Sequence, residues 1–173
     1  EKNISEYELM TSHPYIRYQK ARIFKLFLGK LDTINGRDLK KLINEYFEQT
    51  IISVEYGYGF MKHTKSYASV LWLFGMFHFN NRDYTSSVKW LEESKAIFEN
   101  IQMYDKNYQK AVLKLCEAYL KMMELTGDSD YIKFAEKEHL ELNKKRVGEV
   151  LKKYNMIVGQ KIKVMKNSRS SLS

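Results

Sequence analysis

Residues 67–98 read YASVLWLFGMFHFNNRDYTSSVKWLEESKAIF, and this stretch decides the fold. Large apolar residues recur at helical spacing on both sides of a polar turn signal at 81–83. Gly75 lies in the first half and Ser87 in the second. Because two antiparallel helices joined by a short turn approach closely only where side chains are small, these two positions predict a tight helical hairpin.

The same stretch resembles a tetratricopeptide unit. Such a unit has large apolar, small and aromatic residues and an Asp-Tyr pair at fixed positions. In this chain those positions hold Leu71, Phe74, Gly75, His78, Asp83, Tyr84, Ser87, Leu91 and Ser94. A fainter echo of the pattern occurs at Leu28-Gly29 and again at Cys116 to Tyr119. The resemblance implies an all-α fold in which about three antiparallel helix hairpins stack as a short TPR-like right-handed superhelix with one concave side.

A narrower resemblance is carried by Leu73 to Phe79, Arg82-Asp83-Tyr84, Val88, Trp90, Glu93, Lys110-Ala111, Lys114 and Glu117-Ala118-Tyr119. These residues are similar to the first repeats of the Rap-type peptide-regulated proteins of low-GC bacteria. That likeness implies a signalling-peptide-responsive regulator that binds a short peptide on its concave face. No phosphatase residue is carried over, since residues 1–60 hold no recognisable match to the catalytic motif of that family.

Apolar periodicity predicts about six main helices in three pairs. The expected helices cover roughly 14–31, 38–51, 66–80, 88–101, 111–125 and 129–155, the last with a weakness at Gly148. Polar breaks are expected at 62–65 and 102–106, and a helix end at Gly127. We expect one TPR-like domain over residues 1–160 and a basic, flexible tail over residues 161–173.

The first helix of each pair is expected to line a groove that binds a peptide or a partner helix. On the hairpin at 67–98, the small-residue position of Gly75 puts these residues on the concave side: Ser69, Trp72, Met76, Phe79 and Asn80. The matching residues of the next first helix are Lys110, Leu113, Glu117, Leu120 and Lys121. Amide and apolar groups suit a peptide backbone and its side chains, and lysines suit a carboxylate. The alternative is that Trp72 and Phe79 belong to the core and that Asn80 only ends its helix.

The net charge of +8 is confined to the end of the chain. Residues 142–173 carry nine basic residues and one acidic residue, whereas residues 1–141 carry 20 of each. The candidate basic patch consists of Lys144, Lys145, Arg146, Lys152 and Lys153. It indicates either a solvated helix face or a contact with nucleic acid or another acidic partner. A nucleic-acid-binding or scaffold subunit that uses residues 142–173 is therefore the alternative function.

The remaining residues do not indicate catalysis, and we expect neither an enzyme nor a cofactor. Glu138-His139 lacks the second histidine that a zinc-binding helix needs, and Cys116 has no evident catalytic partner. A lone cysteine in an apolar helical stripe favours a reducing, cytoplasmic compartment. No run of apolar residues is long enough to predict a membrane span. The sequence leaves the oligomeric state and the identity of the partner open.

Overall fold

The computed structural model describes residues 36–56, 62–145 and 147–170, and every regular element in these ranges is a helix. The helices are α1 (Gly36–Tyr56), α2 (Lys65–Asn80), α3 (Tyr84–Asn100), α4 (Lys106–Thr126), α5 (Asp130–Lys144) and α6 (Lys152–Ser170), with a short 3-10 helix (Glu149–Leu151) before α6. The all-α prediction is thereby confirmed for the described residues. The helix expected at 14–31 lies outside them.

Helices α2 and α3 form the predicted hairpin, and its closest point is at Gly75. A methyl group on Gly75 would lie 2.6 Å from Leu91 Cγ, so only glycine fits at this distance. Ser87 is fully buried on the same helix as Leu91. Ser94 adds a buried hydrogen bond, since its hydroxyl donates to the Ala68 carbonyl at 2.7 Å. Small side chains on both helices therefore let the two backbones approach.

Polar caps fix the ends of these helices. The Asp83 side chain accepts a hydrogen bond from the Ser86 amide at 3.1 Å and starts α3. The Asp105 side chain does the same for α4, accepting from the Asn107 amide at 2.8 Å. Gly127 ends α4 with φ of 75°, the left-handed conformation that was predicted for it. The polar breaks before α2 and before α4 are thus where the sequence placed them.

Contacts between successive helices join the rest of the chain to this hairpin. Phe47 of α1 stacks on Phe74 of α2 with ring centroids 4.7 Å apart. Helix α4 packs against α3 and α5, and α6 packs against α5 and α4. The apolar side chains between these helices form one buried core.

The helix expected over 129–155 with a weakness at Gly148 is two helices, because α5 ends at Lys144 and Gly148 lies in the break that follows. Gly148 adopts an extended conformation, and its amide donates to Gln109 Oε1 at 2.9 Å. The buried Gln109 side chain therefore holds this connection in a non-helical path. Helix α6 then starts at Lys152 and turns back over α4 and α5.

The domain boundary expected at residue 160 falls inside α6, which continues across it to Ser170. Ile162 is buried in the core beyond this boundary. Residues 161–170 are therefore part of a helix that packs on the preceding ones and do not form a separate segment. Among the described helices, none combines the length and the apolar character that crossing a bilayer requires.

We expect Gly75→Ala to lower the free energy of unfolding by about 1–2 kcal/mol, since overpacking against Leu91 outweighs the better helix propensity of alanine. Gly148→Ala is the matched control, because a methyl group there would lie 3.4 Å from the nearest atom, Gln109 Oε1. Urea denaturation followed by circular dichroism measures both variants. Equal stability of Gly75→Ala and the unmodified protein would contradict the close approach.

Candidate partner-binding groove

Four of the charged side chains of α4 form one stripe along its length. Lys110, Lys114, Glu117 and Lys121 follow one another at steps of four, three and four residues, which places them on the same helix face. Leu120 lies beside this stripe and is almost fully buried. Leu113, which the sequence also placed here, belongs to the core and is fully buried, since its position faces the neighbouring helices. The structure therefore places the predicted polar residues on one face of α4 and Leu113 in the core.

A second stripe runs along α2 and faces the first. The Lys110 amine lies 5.5 Å from the centroid of the Trp72 ring, and the Lys114 amine lies 4.4 Å from the centroid of the Phe79 ring. Trp72 precedes Phe79 on α2, and their partners occur in the same order on α4. The two helices therefore run in the same direction. Met76 lies between the two aromatic residues and is partly buried against the core.

Helix α6 supplies a third wall that the sequence did not predict. Ile157, Lys161 and Val164 repeat at steps of four and three residues and face the far end of the α4 stripe. Together with Phe79, Leu120 and Lys121 they line a groove of about 590 Å³. Val164 is 63% exposed, so the groove offers apolar surface to a partner.

Glu117 holds this third wall in place. Its carboxylate accepts hydrogen bonds from Lys114 at 2.6 Å, from Lys161 at 2.7 Å and from the Tyr154 hydroxyl at 2.6 Å. Burial alone would raise the pKa of Glu117, but these hydrogen bonds outweigh it and lower the pKa to about 2. The group is therefore a carboxylate at neutral pH and links α4 to α6. Burial and the same carboxylate raise the pKa of Tyr154, so its hydroxyl stays a donor.

The structure brings Phe79, Glu117 and Lys121 of the predicted binding residues into the groove. Trp72 is buried and meets Lys110 at the other end of the stripe. Asn80 is exposed, does not line the groove, and is the last residue of α2. The residues that the sequence missed are those of α6, whose apolar repeat at Val158, Ile162 and Met165 was the available signal.

Much of the basic patch is neutralised within the chain. Lys144 pairs with Glu141 at 2.6 Å, and Lys152 pairs with Glu149 at 2.5 Å. Lys145 lies 3.7 Å from the centroid of the Tyr104 ring. Lys153 is exposed, and Arg146 lies outside the described residues. Two of the four described residues of the patch, Lys144 and Lys152, are therefore paired with acidic side chains.

The candidate catalytic groups have structural partners. His78 Nδ1 lies 2.9 Å from an Asp83 oxygen at the start of α3, and His139 Nε2 lies 3.1 Å from the Asn155 carbonyl between α5 and α6. Burial raises the pKa of the Cys116 thiol, which removes the thiolate that a nucleophile requires. The described part of the chain contains no group of three His, Cys, Asp or Glu side chains placed to hold a metal ion.

We expect Glu117→Gln to lower the free energy of unfolding by about 1–3 kcal/mol near pH 7, because three donors lose a charged acceptor. A carboxylate whose pKa is lowered on folding stabilises the fold above its ordinary pKa, and this contribution disappears as the pH falls toward the folded value. The difference between the two proteins should therefore shrink between about pH 5 and pH 2.

Urea denaturation at about pH 7, 4 and 3 measures this difference. The control is Glu124→Gln, which removes a single exposed pair with Lys121 and should change the stability by less than about 1 kcal/mol. A difference for Glu117→Gln that is the same at every pH would show that the carboxylate does not carry the effect.

Comparison with protein-family models, with curated proteins and with solved structures gives no match. The interpretation of the groove therefore rests on its own contacts and charges.

Proposed function

We propose that this protein is an interaction module that binds a short peptide or a partner helix in the groove between α2, α4 and α6. The proposal includes the stacking of its hairpins as a short TPR-like right-handed superhelix, with these three helices on the concave side. The support for it is that α2 and α4 run in the same direction, as the first helices of successive repeats do. The resemblance to Rap-type proteins agrees with a role in a signalling-peptide-responsive regulator.

The observation that carries the proposal is the exposed apolar surface inside a concave site. Val164 is 63% exposed and Ile157 is 39% exposed, and both line the groove beside Phe79 and Leu120. Apolar side chains that remain open to water in a concavity with charged walls are typical of partner-binding sites. A volume of about 590 Å³ accommodates a few side chains of a peptide.

Both kinds of occupant can use these features. An extended peptide would place alternate side chains in the groove, whereas a helix would place side chains at steps of three and four residues. Lys114, Glu117 and Lys121 of α4 would set the orientation of either partner, because ion pairs hold them in place. Lys121, for example, pairs with Glu124 at 2.5 Å.

The alternative function, binding of nucleic acid or assembly through residues 142–173, has weaker support. Lys161 and Lys166 of this segment also form ion pairs, with Glu117 and Glu136, each at 2.7 Å. Paired lysines release fewer counterions on binding a phosphate backbone. We expect affinity for a fluorescent single-stranded or duplex DNA oligonucleotide to be weak. A strong affinity that falls steeply with salt and disappears on deleting residues 142–173 would favour this alternative.

We expect Val164→Asp to weaken binding of groove ligands by at least about tenfold, because a charge would enter the apolar part of the groove. The probes are peptides selected from a random library of roughly twelve-residue sequences displayed on phage. Met156→Asp is the matched control, since Met156 is 62% exposed on the same helix but does not line the groove. Calorimetry with the selected synthetic peptides measures the affinities.

Both substitutions are on exposed positions, so thermal melts should show that the variants fold. The proposal fails if the library yields no binding peptide, or if Val164→Asp and Met156→Asp bind the selected peptides as tightly as the unmodified protein does.

A further inference from the structure

Lys110 lies one turn before the groove on α4 and differs from the groove lysines because no acidic side chain of the described residues pairs with it. Lys114 and Lys161 pair with Glu117, and Lys121 pairs with Glu124. Within the described residues Lys110 forms no ion pair, and neither does Lys106 one turn before it. The face of α4 just before the groove, which starts on this helix at Lys114, therefore carries two positive charges that no acidic side chain of the described residues pairs with.

The surroundings of Lys110 make this charge costly in the free protein. The amine is partly buried and lies 5.5 Å from the centroid of the Trp72 ring. Burial, and then repulsion by Lys106, lower the pKa of Lys110. An anion placed beside the amine would relieve both effects, and a carboxylate also accepts charge-assisted hydrogen bonds from it.

A ligand that contacts both Lys110 and the apolar part of the groove must be long enough to cover the distance between them. Along α4, Glu117 is about 10 Å and Leu120 about 15 Å from Lys110, at a rise of about 1.5 Å per residue. An extended peptide advances about 3.3 Å per residue. It therefore covers this distance with roughly three to five residues.

We propose that the ligand of the groove is a peptide with a carboxylate that binds Lys110, and with an apolar side chain three to five residues away that binds beside Leu120, Ile157 and Val164. This inference rests on the proposed function and adds the chemistry of the occupant. The carboxylate belongs either to an Asp or Glu side chain or to the peptide's C-terminus. The charge of the Lys106 and Lys110 pair is what selects an acidic partner over a basic one.

The test uses the peptides selected on the full chain. Sequencing should show an Asp, a Glu or the C-terminal carboxylate at three to five positions from Leu, Ile, Phe or Met. Each peptide is then compared with its Asn or Gln counterpart and with its C-terminal amide, which distinguishes the two sources of the carboxylate. Lys110→Gln should weaken binding of the acidic peptide about tenfold and should leave the affinity of the neutralised peptide unchanged.

Lys110→Arg keeps the charge and should retain most of the affinity, which separates a loss of charge from a loss of folding. Lys153→Gln, an exposed lysine of α6 away from the groove, is the matched control and should have no effect. The inference is overturned if the selected peptides lack an acidic group at this spacing, or if Lys110→Gln weakens acidic and neutral peptides equally. If Val164→Asp still weakens binding of the selected peptides in that case, the groove remains a binding site and only the proposed ligand chemistry is wrong. If Val164→Asp weakens binding of none of the selected peptides, both proposals fail.

Discussion

Close approach of helices at two glycines is the constraint on which the rest of the structure depends. Gly75 lets α2 lie against Leu91 of α3, and Gly159 lets α6 lie against α5, where a methyl group would be 2.8 Å from His139 Cε1. A larger side chain at either position would push the two backbones apart. The first contact forms the hairpin from which α4 continues, and the second brings α6 back over α4, so that the two contacts together determine whether a groove exists.

Ion pairs and hydrogen bonds add to the packing that holds α6 on α4. The Glu117 carboxylate takes donors from α4 and α6, and this polar contact lies at the edge of the apolar core, where Tyr154 and Lys161 reach it. Lys114 and Lys161 pair with this carboxylate, whereas Lys106 and Lys110, which precede the groove on α4, have no acidic partner in the described part of the chain. The charge on this face of α4 is therefore unbalanced before the groove and balanced beside it, so the two ends of a bound ligand would meet different surroundings. A site with an apolar end and a cationic end suits a ligand that is itself amphipathic.

The local features of this fold could be predicted from the sequence, and the long-range ones could not. The hairpin at Gly75, the polar breaks and the end of α4 at Gly127 depend on residues close together in the chain, where spacing and turn chemistry decide the structure. The path of α6 depends on Gln109, whose side chain binds the Gly148 amide 39 residues later, and on the pair of Lys161 with Glu117, 44 residues apart. No periodicity encodes such contacts. Basic composition also made residues 161–173 resemble a tail, although their apolar positions at 162 and 165 continue the buried stripe of α6. The stripes on α2 and α4 were predictable because each lies on a single helix, but the wall that faces them was not.

The most direct test of this account is a nuclear Overhauser spectrum of the isotopically labelled protein, because it reports whether α6 lies where the groove requires it. The account predicts contacts between the Gly159 α protons and the His139 ring, and between the Tyr154 ring and the side chain of Lys114, whose amine lies 5.7 Å from the ring centroid. Contacts within α6 that appear without either of these would show that the helix forms but does not pack on α4 and α5. The groove, and the function inferred from it, would then be wrong.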